Sequence, residues 1–594
     1  MKQPLTKDEQ LCFIHIAKTA GTTLTSIIDS NFSVDDISPE PDYLEEHYSG
    51  NDASANHENL IQLLKHYRFI RGHFAYSFIH PLLPESTLYM TMLRHPIERF
   101  LSFYEFLKRD RERGEPKRRI DLQLLRNATA EGLVNFICHP DPRIKAKLCN
   151  RQMYQLTSYA ADTTHLSEQD LLQLAKQNLE KFSFVGLTER FQDSVLLMSY
   201  RFGWYPNNSY QSLRVAQDRV HQDGLDQKII DMIFECNQLD IELYKYAQTL
   251  FDTRFSAMLQ ELKQQYSLTE HTDLSQSSTL LDVLEQDYER QCNTLKIEPV
   301  QVLDFDFRQP IRGVGWHRRN GDFNGLKSKG FTFRWTGPGI ESTLDFCLST
   351  EIDLAIRIYI INASTTALNS LKLKANNHPI VLEPIIRRGK SVIFEGTISQ
   401  TALTPDKCFT RLTFTVDRTV PLQDLNSNSS DKRLVGVAIQ HIQIFPATIR
   451  PEILQFTTCL FPNQDSCYVE AANFIGQHLK PGERIAAPLE FSERFSDCFY
   501  SYTSAFADKS SLSWVIVHKG YLQEIEYSFL EWIVEELNIV FANEVFVLFS
   551  TRKELKKVHY FTSHLRTFWR SWLDLQVQRG KRNWFFFLKK ITQM

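Results

Sequence analysis

The stretch that most constrains this chain is LCFIHIAKTAGTTLTSIID, Leu11 to Asp29. An apolar run of strand character enters a short polar turn, and the turn enters a helical pattern. Backbone N–H groups at such a helix start face the turn, and the helix dipole favours an anion there. Gly21 permits close backbone approach or a positive φ. Thr19, Thr22 and Thr23 carry hydroxyl donors, Lys18 carries a point charge, and Ala20 completes the turn. The pattern is not the G-x-x-x-x-G-K-[ST] loop of nucleoside triphosphatases, because the lysine comes first and there is one glycine. Taken alone, the loop is equally well an ordinary βα turn with N-cap threonines.

A second stretch, TMLRHPIERFLSFYEFL, repeats the strand, turn and helix. Arg94 closes the strand, Pro96 opens the helix at N1, and Ser102 follows two turns in. An arginine fork with a hydroxyl suits a phosphate; the simpler account is Arg94 paired with Glu98. A third landmark, FSFVGLTERFQDSVLLM, runs from Phe182 to Met198.

In this order the three stretches resemble sulfotransferases that use 3′-phosphoadenosine 5′-phosphosulfate. The likeness is to the carbohydrate branch that includes heparan sulfate 2-O-sulfotransferase and its bacterial relatives. That branch carries IPKTA-T- and RDP-ER--S-Y where this chain has IAKTAGTT and RHPIERFLSFY. The resemblance covers about residues 11–250 and implies an α/β fold, with the nucleotide at the carboxyl ends of a parallel sheet. It implies that Lys18, Thr19, Ala20, Gly21, Thr22 and Thr23 hold the 5′-phosphosulfate, with Lys18 neutralising charge on the leaving oxygen. It implies Arg94 and Ser102 as the 3′-phosphate site, Arg214 as a further nucleotide contact, and no metal. The 2-O branch has a catalytic His-Gly-His where this chain reads FIRGHFAYS. His73 is therefore the candidate base, Arg71 stands in place of the first histidine, and His95 is given no role. A histidine capping a strand end is the plainer account of His73.

With 594 residues the chain is too long for one core. The expected organisation is multidomain. A P-loop-like α/β sulfotransferase domain with a parallel sheet spans 8–265, and a polar linker with some helix spans 266–296. An all-β, jelly-roll-like sandwich spans 297–447, a small α/β domain 448–550, and a basic aromatic tail 551–594. In the sandwich, Trp316 and Trp335 are candidates for stacking on a sugar. The run Lys108–Arg119 holds seven Lys/Arg against three Asp/Glu, suited either to an anionic acceptor or to a solvated helix end.

The net charge of −4 gives no argument for nucleic acid. The polar N-terminus lacks a signal-peptide core, and no apolar run is long enough to span a membrane. Ten scattered cysteines without C-x-x-C point away from metal and disulfide frameworks, and so to a cytoplasmic setting. A peripheral position at the inner membrane face is left open through the tail from Arg552, which has eleven Lys/Arg and two Asp/Glu. The expected activity is sulfuryl transfer from that donor to a hydroxyl of a glycan or glycolipid. The alternatives are a P-loop-like kinase or NTPase, and a non-catalytic carbohydrate-binding scaffold.

Overall fold

The computed structural model describes the chain apart from residues 1, 7, 39–59, 113–119, 158–165, 208–223, 269–273, 275, 295–296, 322–331, 389–390, 404–407, 426–430, 450, 452–464, 493, 496–497, 501–510, 560–561 and 579–594. The described residues up to 451 form one compact unit and those from 465 on form another.

The first unit begins with a parallel sheet of order β2-β1-β3-β4, formed by β1 Leu11–Ile14, β2 Phe69–Gly72, β3 Leu88–Leu93 and β4 Phe184–Leu187. Every residue of these strands is buried, as strands covered on both faces must be. Three helices position the site: α1 Gly21–Asp29, α2 Pro96–Glu112 and α3 Arg151–Leu156. The amphipathic stretch after Asp226 is two helices, Gln227–Cys236 and Gln238–Gln265. The expected linker contains the helix Ser277–Thr294. Its Leu280, Val283 and Leu284 lie in the same core as the sheet, so this stretch is part of that core rather than a tether.

The same unit continues into antiparallel sheets. One orders strands 378–380, 372–375, 410–415 and 341–346; the other runs from 383–388 through 391–398, 354–363 and 437–446 to 332–335. Leu344, Leu373, Leu412 and Phe414 of the first share a core with Ile356, Ile358, Ile439 and Ile442 of the second. Apolar packing accounts for both tryptophans, Trp316 against this core and Trp335 in a separate cluster with Val435 and Ala438. Trp335 is buried, and Trp316 packs on Phe307 and Phe414 while its indole N–H donates to the Thr343 carbonyl at 2.8 Å. They therefore serve the interior and do not form an exposed sugar platform.

The second unit holds a mixed sheet of order 499–500, 485–486, 514–518, 546–550, 538–542, with helices Ser466–His478 and Tyr527–Glu536. The described part of the basic tail includes the helix Ser563–Gln578, whose Leu565, Phe568, Trp569 and Trp572 are buried in this unit's core. Those aromatics are thus not a membrane-facing surface; Trp584 and Phe585 to Phe587 lie outside the described residues. Among the described residues, no helix is long and apolar enough to cross a membrane.

Candidate functional site

The loop after β1 reaches the carboxyl end of the sheet and turns sharply. Lys18 has φ 72° and Ala20 has φ 61°, both left-handed, so the strained positions fall on non-glycine residues. Such conformations cost of order 1 kcal/mol or more and collect at ligand sites. Gly21, which opens α1, serves close approach instead: a Cβ there would lie 2.0 Å from His15 Nε2. The helix has no side-chain cap and no acidic residue in its first turn; the Thr23 N–H turns back to the Ala20 carbonyl at 3.1 Å, and the positive dipole end suits an anion. Thr19 is fully buried, and its hydroxyl donates to the Ile16 carbonyl at 2.8 Å. What Thr19 offers the mouth of the loop is therefore its backbone. The Lys18 ammonium lies 4.7 Å above the Phe106 ring on α2.

Arg94 joins the two motifs. It is buried, its Nη1 donates to the Lys18 carbonyl at 3.0 Å, and its Nη2 meets Glu98 at 3.3 Å. Among the described residues its buried Nε has no hydrogen-bond partner. The backbone of Arg94 is gripped by one buried amide: Arg94 N–H donates to Gln152 Oε1 at 3.0 Å, and Gln152 Nε2 donates to Arg94 O at 2.9 Å. Ser102 lies half-buried on α2, one turn beyond Glu98.

Gln152 is held in turn by Asp240, whose carboxylate accepts the N–H of Gln152 at 3.0 Å and of Met153 at 2.8 Å. Burial raises the pKa of Asp240, and Arg99 with these two N–H groups pulls it back. Asn150 returns the favour, accepting from the N–H of Leu239 and Asp240 at 3.1 Å each. Just ahead of α3, Cys149 is disulfide-bonded to Cys236. The expectation of no disulfide fails here because spacing along the chain says nothing about two cysteines brought together by helices 87 residues apart.

The third landmark braces the second. Thr188 Oγ1 donates to Leu93 O at 3.0 Å, His95 N–H donates to Glu189 Oε1 at 2.9 Å, and Tyr244 donates to Glu189 Oε2 at 2.6 Å. Burial, then the Glu189 carboxylate, raises the Tyr244 pKa, so the phenol stays a donor.

His73 is exposed beside the loop, with Nδ1 2.7 Å from the His15 carbonyl. A carbonyl only accepts, so Nδ1 carries the proton and Nε2 of the neutral ring holds the lone pair a base needs. Gln155 Nε2 donates to the same carbonyl at 2.8 Å. The His15 ring lies 4.3 Å from the His73 ring and also stacks on Phe13. Arg71 is buried and ion-paired with Asp29, a strut between β2 and α1. The histidine beside His73 thus comes from β1's end, not from two residues upstream. Sequence reasoning missed His15, Gln152 and Gln155. His15 had a signal, its place directly before the loop; the glutamines had none. Arg214 and residues 113–119 of the basic run lie outside the described residues.

Residues 5–247 match the family model described as the sulfotransferase family. Similar curated proteins include heparan-sulfate 6-O-sulfotransferase 3 of Homo sapiens, 29% identical over 190 residues, or 28% of this chain and 38% of the relative. Heparan-sulfate 6-O-sulfotransferase 1 of Cricetulus griseus is 28% identical over 196 residues, covering 29% and 46%. Heparan-sulfate 6-O-sulfotransferase 2 of Gallus gallus is 34% identical over 98 residues, covering 16% and 23%. The alignments span less than half the length of each of these relatives. The motifs resemble the 2-O branch, whereas these relatives are 6-O-sulfotransferases. The lysine-first loop, the Arg94 bracket and the Glu189 brace all fall inside the segment, residues 5–247, that matches the sulfotransferase family.

Proposed function

We propose that this protein transfers a sulfuryl group from 3′-phosphoadenosine 5′-phosphosulfate to a carbohydrate hydroxyl. The observation that carries the reading is the Arg94–Lys18 bond, which fuses two anion-suited turns into one site. The backbone of Lys18 to Gly21, the uncapped start of α1 and the spare Arg94 Nε fit a donor with two separated anionic groups. Lys18 to Thr23 would receive the phosphosulfate end, and Arg94 with Ser102 the 3′-phosphate.

His73 Nε2 takes the acceptor hydroxyl proton as the new oxygen–sulfur bond forms. Lys18 offsets the negative charge on the bridging oxygen as the old sulfur–oxygen bond breaks, and adenosine 3′,5′-bisphosphate leaves. Charge stabilisation at that oxygen is the largest expected contribution, and removal of a positioned base costs about 10²–10⁴-fold in rate. The carbohydrate acceptor is supported by the relatives, whose names specify heparan sulfate.

The test is transfer of labelled sulfate from donor to a panel of glycans by the full chain. Lys18→Ala is expected to lose turnover, and His73→Ala to lose turnover while keeping adenosine 3′,5′-bisphosphate binding. Absence of any binding of that nucleotide to the folded wild type overturns the reading.

A further inference from the structure

Three free thiols meet where the helix Ser277–Thr294 reaches the antiparallel sheets. Cys292, near the end of that helix, is buried with Tyr205, Tyr288 and Phe409. Cys347 and Cys408 pack against the same cluster. Strand pairing brings these two together. Strands 341–346 and 410–415 run antiparallel, and their ladder ends with Phe346 opposite Thr410. Cys347 is the next residue beyond the first strand, and Cys408 lies just ahead of the second.

Burial raises the pKa of each of the three thiols. The Arg312 guanidinium, 4.5 Å above the Phe409 ring, pulls each one back. The Cys347 and Cys408 side chains are in hydrogen-bond contact, and that bond raises Cys347 while lowering Cys408. Cys347 S–H is therefore the donor and Cys408 Sγ the acceptor, which makes Cys408 the better nucleophile of the two. The Ile297 carbonyl, 3.6 Å from Cys347 Sγ, is another acceptor within reach of that proton. Cys347 and Cys408 are half-buried, so a small oxidant reaches them, whereas Cys292 is buried. Cys138 is exposed but lies outside the cluster.

We propose that Cys347 and Cys408 form a reversible disulfide site, closed by a hydroperoxide and opened by a dithiol. Cys408 Sγ, as the thiolate, attacks one peroxide oxygen. The O–O bond breaks, and with hydrogen peroxide the leaving hydroxide takes up the Cys408 proton as water, leaving a sulfenic acid. Cys347 Sγ then attacks Cys408 Sγ. The S–S bond forms, the S–O bond breaks, and the departing hydroxide takes the Cys347 proton as a second water. Two thiols are oxidised and one peroxide is reduced. The site is separate from the donor loop and does not depend on the proposed transfer reaction.

The test treats the folded full chain with hydrogen peroxide, blocks the remaining thiols and maps the peptides by mass spectrometry. A Cys347–Cys408 cross-linked peptide is expected, and dithiothreitol is expected to remove it. Cys408→Ser is expected to lose the cross-link, and Cys347→Ser to leave Cys408 as a sulfenic acid that dimedone traps. If either variant does not fold, the wild-type map decides alone. Oxidation at Cys138 without the cross-link, a Cys292–Cys408 link in its place, or a Cys347–Cys408 link that forms only in guanidinium overturns the proposal.

Discussion

Gly21→Ala sets two opposed effects against each other. Gly21 is the first residue of α1 and its φ is not left-handed, so alanine suits the helix better, by at most about 1 kcal/mol. Against this, the new methyl would sit 2.0 Å from His15 Nε2 and 2.1 Å from Cδ2, so the ring must retreat by about 1 Å or more. That ring is stacked on Phe13 at 5.2 Å and lies tilted against the His73 ring at 4.3 Å, so it does not move alone. Overpacking of this kind costs about 1–3 kcal/mol, and the net loss of stability is about 0–3 kcal/mol. The effect on rate is expected to be larger, because a misplacement of about 1 Å at a reacting group costs up to about 10²-fold. The assay pairs chemical unfolding with initial rates of labelled-sulfate transfer, in a cycle with His15→Ala. Removing the ring removes the clash, so the double variant is expected to be more stable than the sum of the singles predicts, by about 1 kcal/mol. A Gly21→Ala protein with wild-type stability and rate, or a cycle with no coupling, refutes the packing argument.

Gln152→Met leaves both backbone groups of Arg94 without their amide; each orphaned group costs about 1–3 kcal/mol, and calorimetry is expected to show weaker binding of adenosine 3′,5′-bisphosphate with a lower Tm. Replacing Cys149 and Cys236 by serine opens a loop of 87 residues, for which chain entropy gives about 4–5 kcal/mol; guanidinium melts with and without reductant read it, and equal midpoints count against the bridge. Burial lowers the pKa of His317 from 6.5 to about 4, so the unfolded chain binds the proton more tightly. Stability is therefore lost as pH falls through that window, by about 3 kcal/mol at its lower end. Unfolding midpoints measured from pH 7 to 4 are expected to flatten in His317→Gln, and an unchanged slope is the contrary result.

What was legible in the sequence was what leaves a local trace. The strand Leu88–Leu93 is buried at every position and reads as an apolar run broken only by Thr91. The helix after it begins at Pro96 as its N1 proline indicates. The two strand–turn–helix units carry Lys18 and Arg94 in motifs that residue types alone reveal. The links between those units are not local. Gln152 acts on a residue 58 positions away and Gln155 on one 140 away, and a buried glutamine has the same letter as a surface one. Arg71 looked like a substitution in a catalytic pair because its partner, Asp29, is 42 residues upstream. Trp316 and Trp335 looked available to a sugar because aromatic letters do not say which side of a strand faces a core.

The geometry of α1 explains why the sheet and the antiparallel sheets form one unit. Its amino end is the anion-facing turn, and its carboxyl end and the chain just beyond it are stapled to the segment 307–319. Ile311 N–H donates to Ser30 O at 2.9 Å, Val34 N–H donates to Arg308 O at 2.9 Å, and Arg319 donates to Phe32 O. Arg308 meets Asp35 at 2.7 Å, and Arg319 is buried, its pKa pulled down to about 10 by that burial. Asp29, on the last turn of α1, pairs with Arg71, two residues before His73. A helix of nine residues is short enough that fixing its far end fixes its near end, since it spans about 14 Å. The contacts at the 307–319 segment therefore brace the helix that begins at the Lys18 loop and, through the Asp29–Arg71 pair, the strand that ends just before His73. Under the proposed transfer reaction, which needs a loop, a base and an acceptor held in line, that bracing favours the rate, and it is through α1 that the antiparallel sheets would contribute to it.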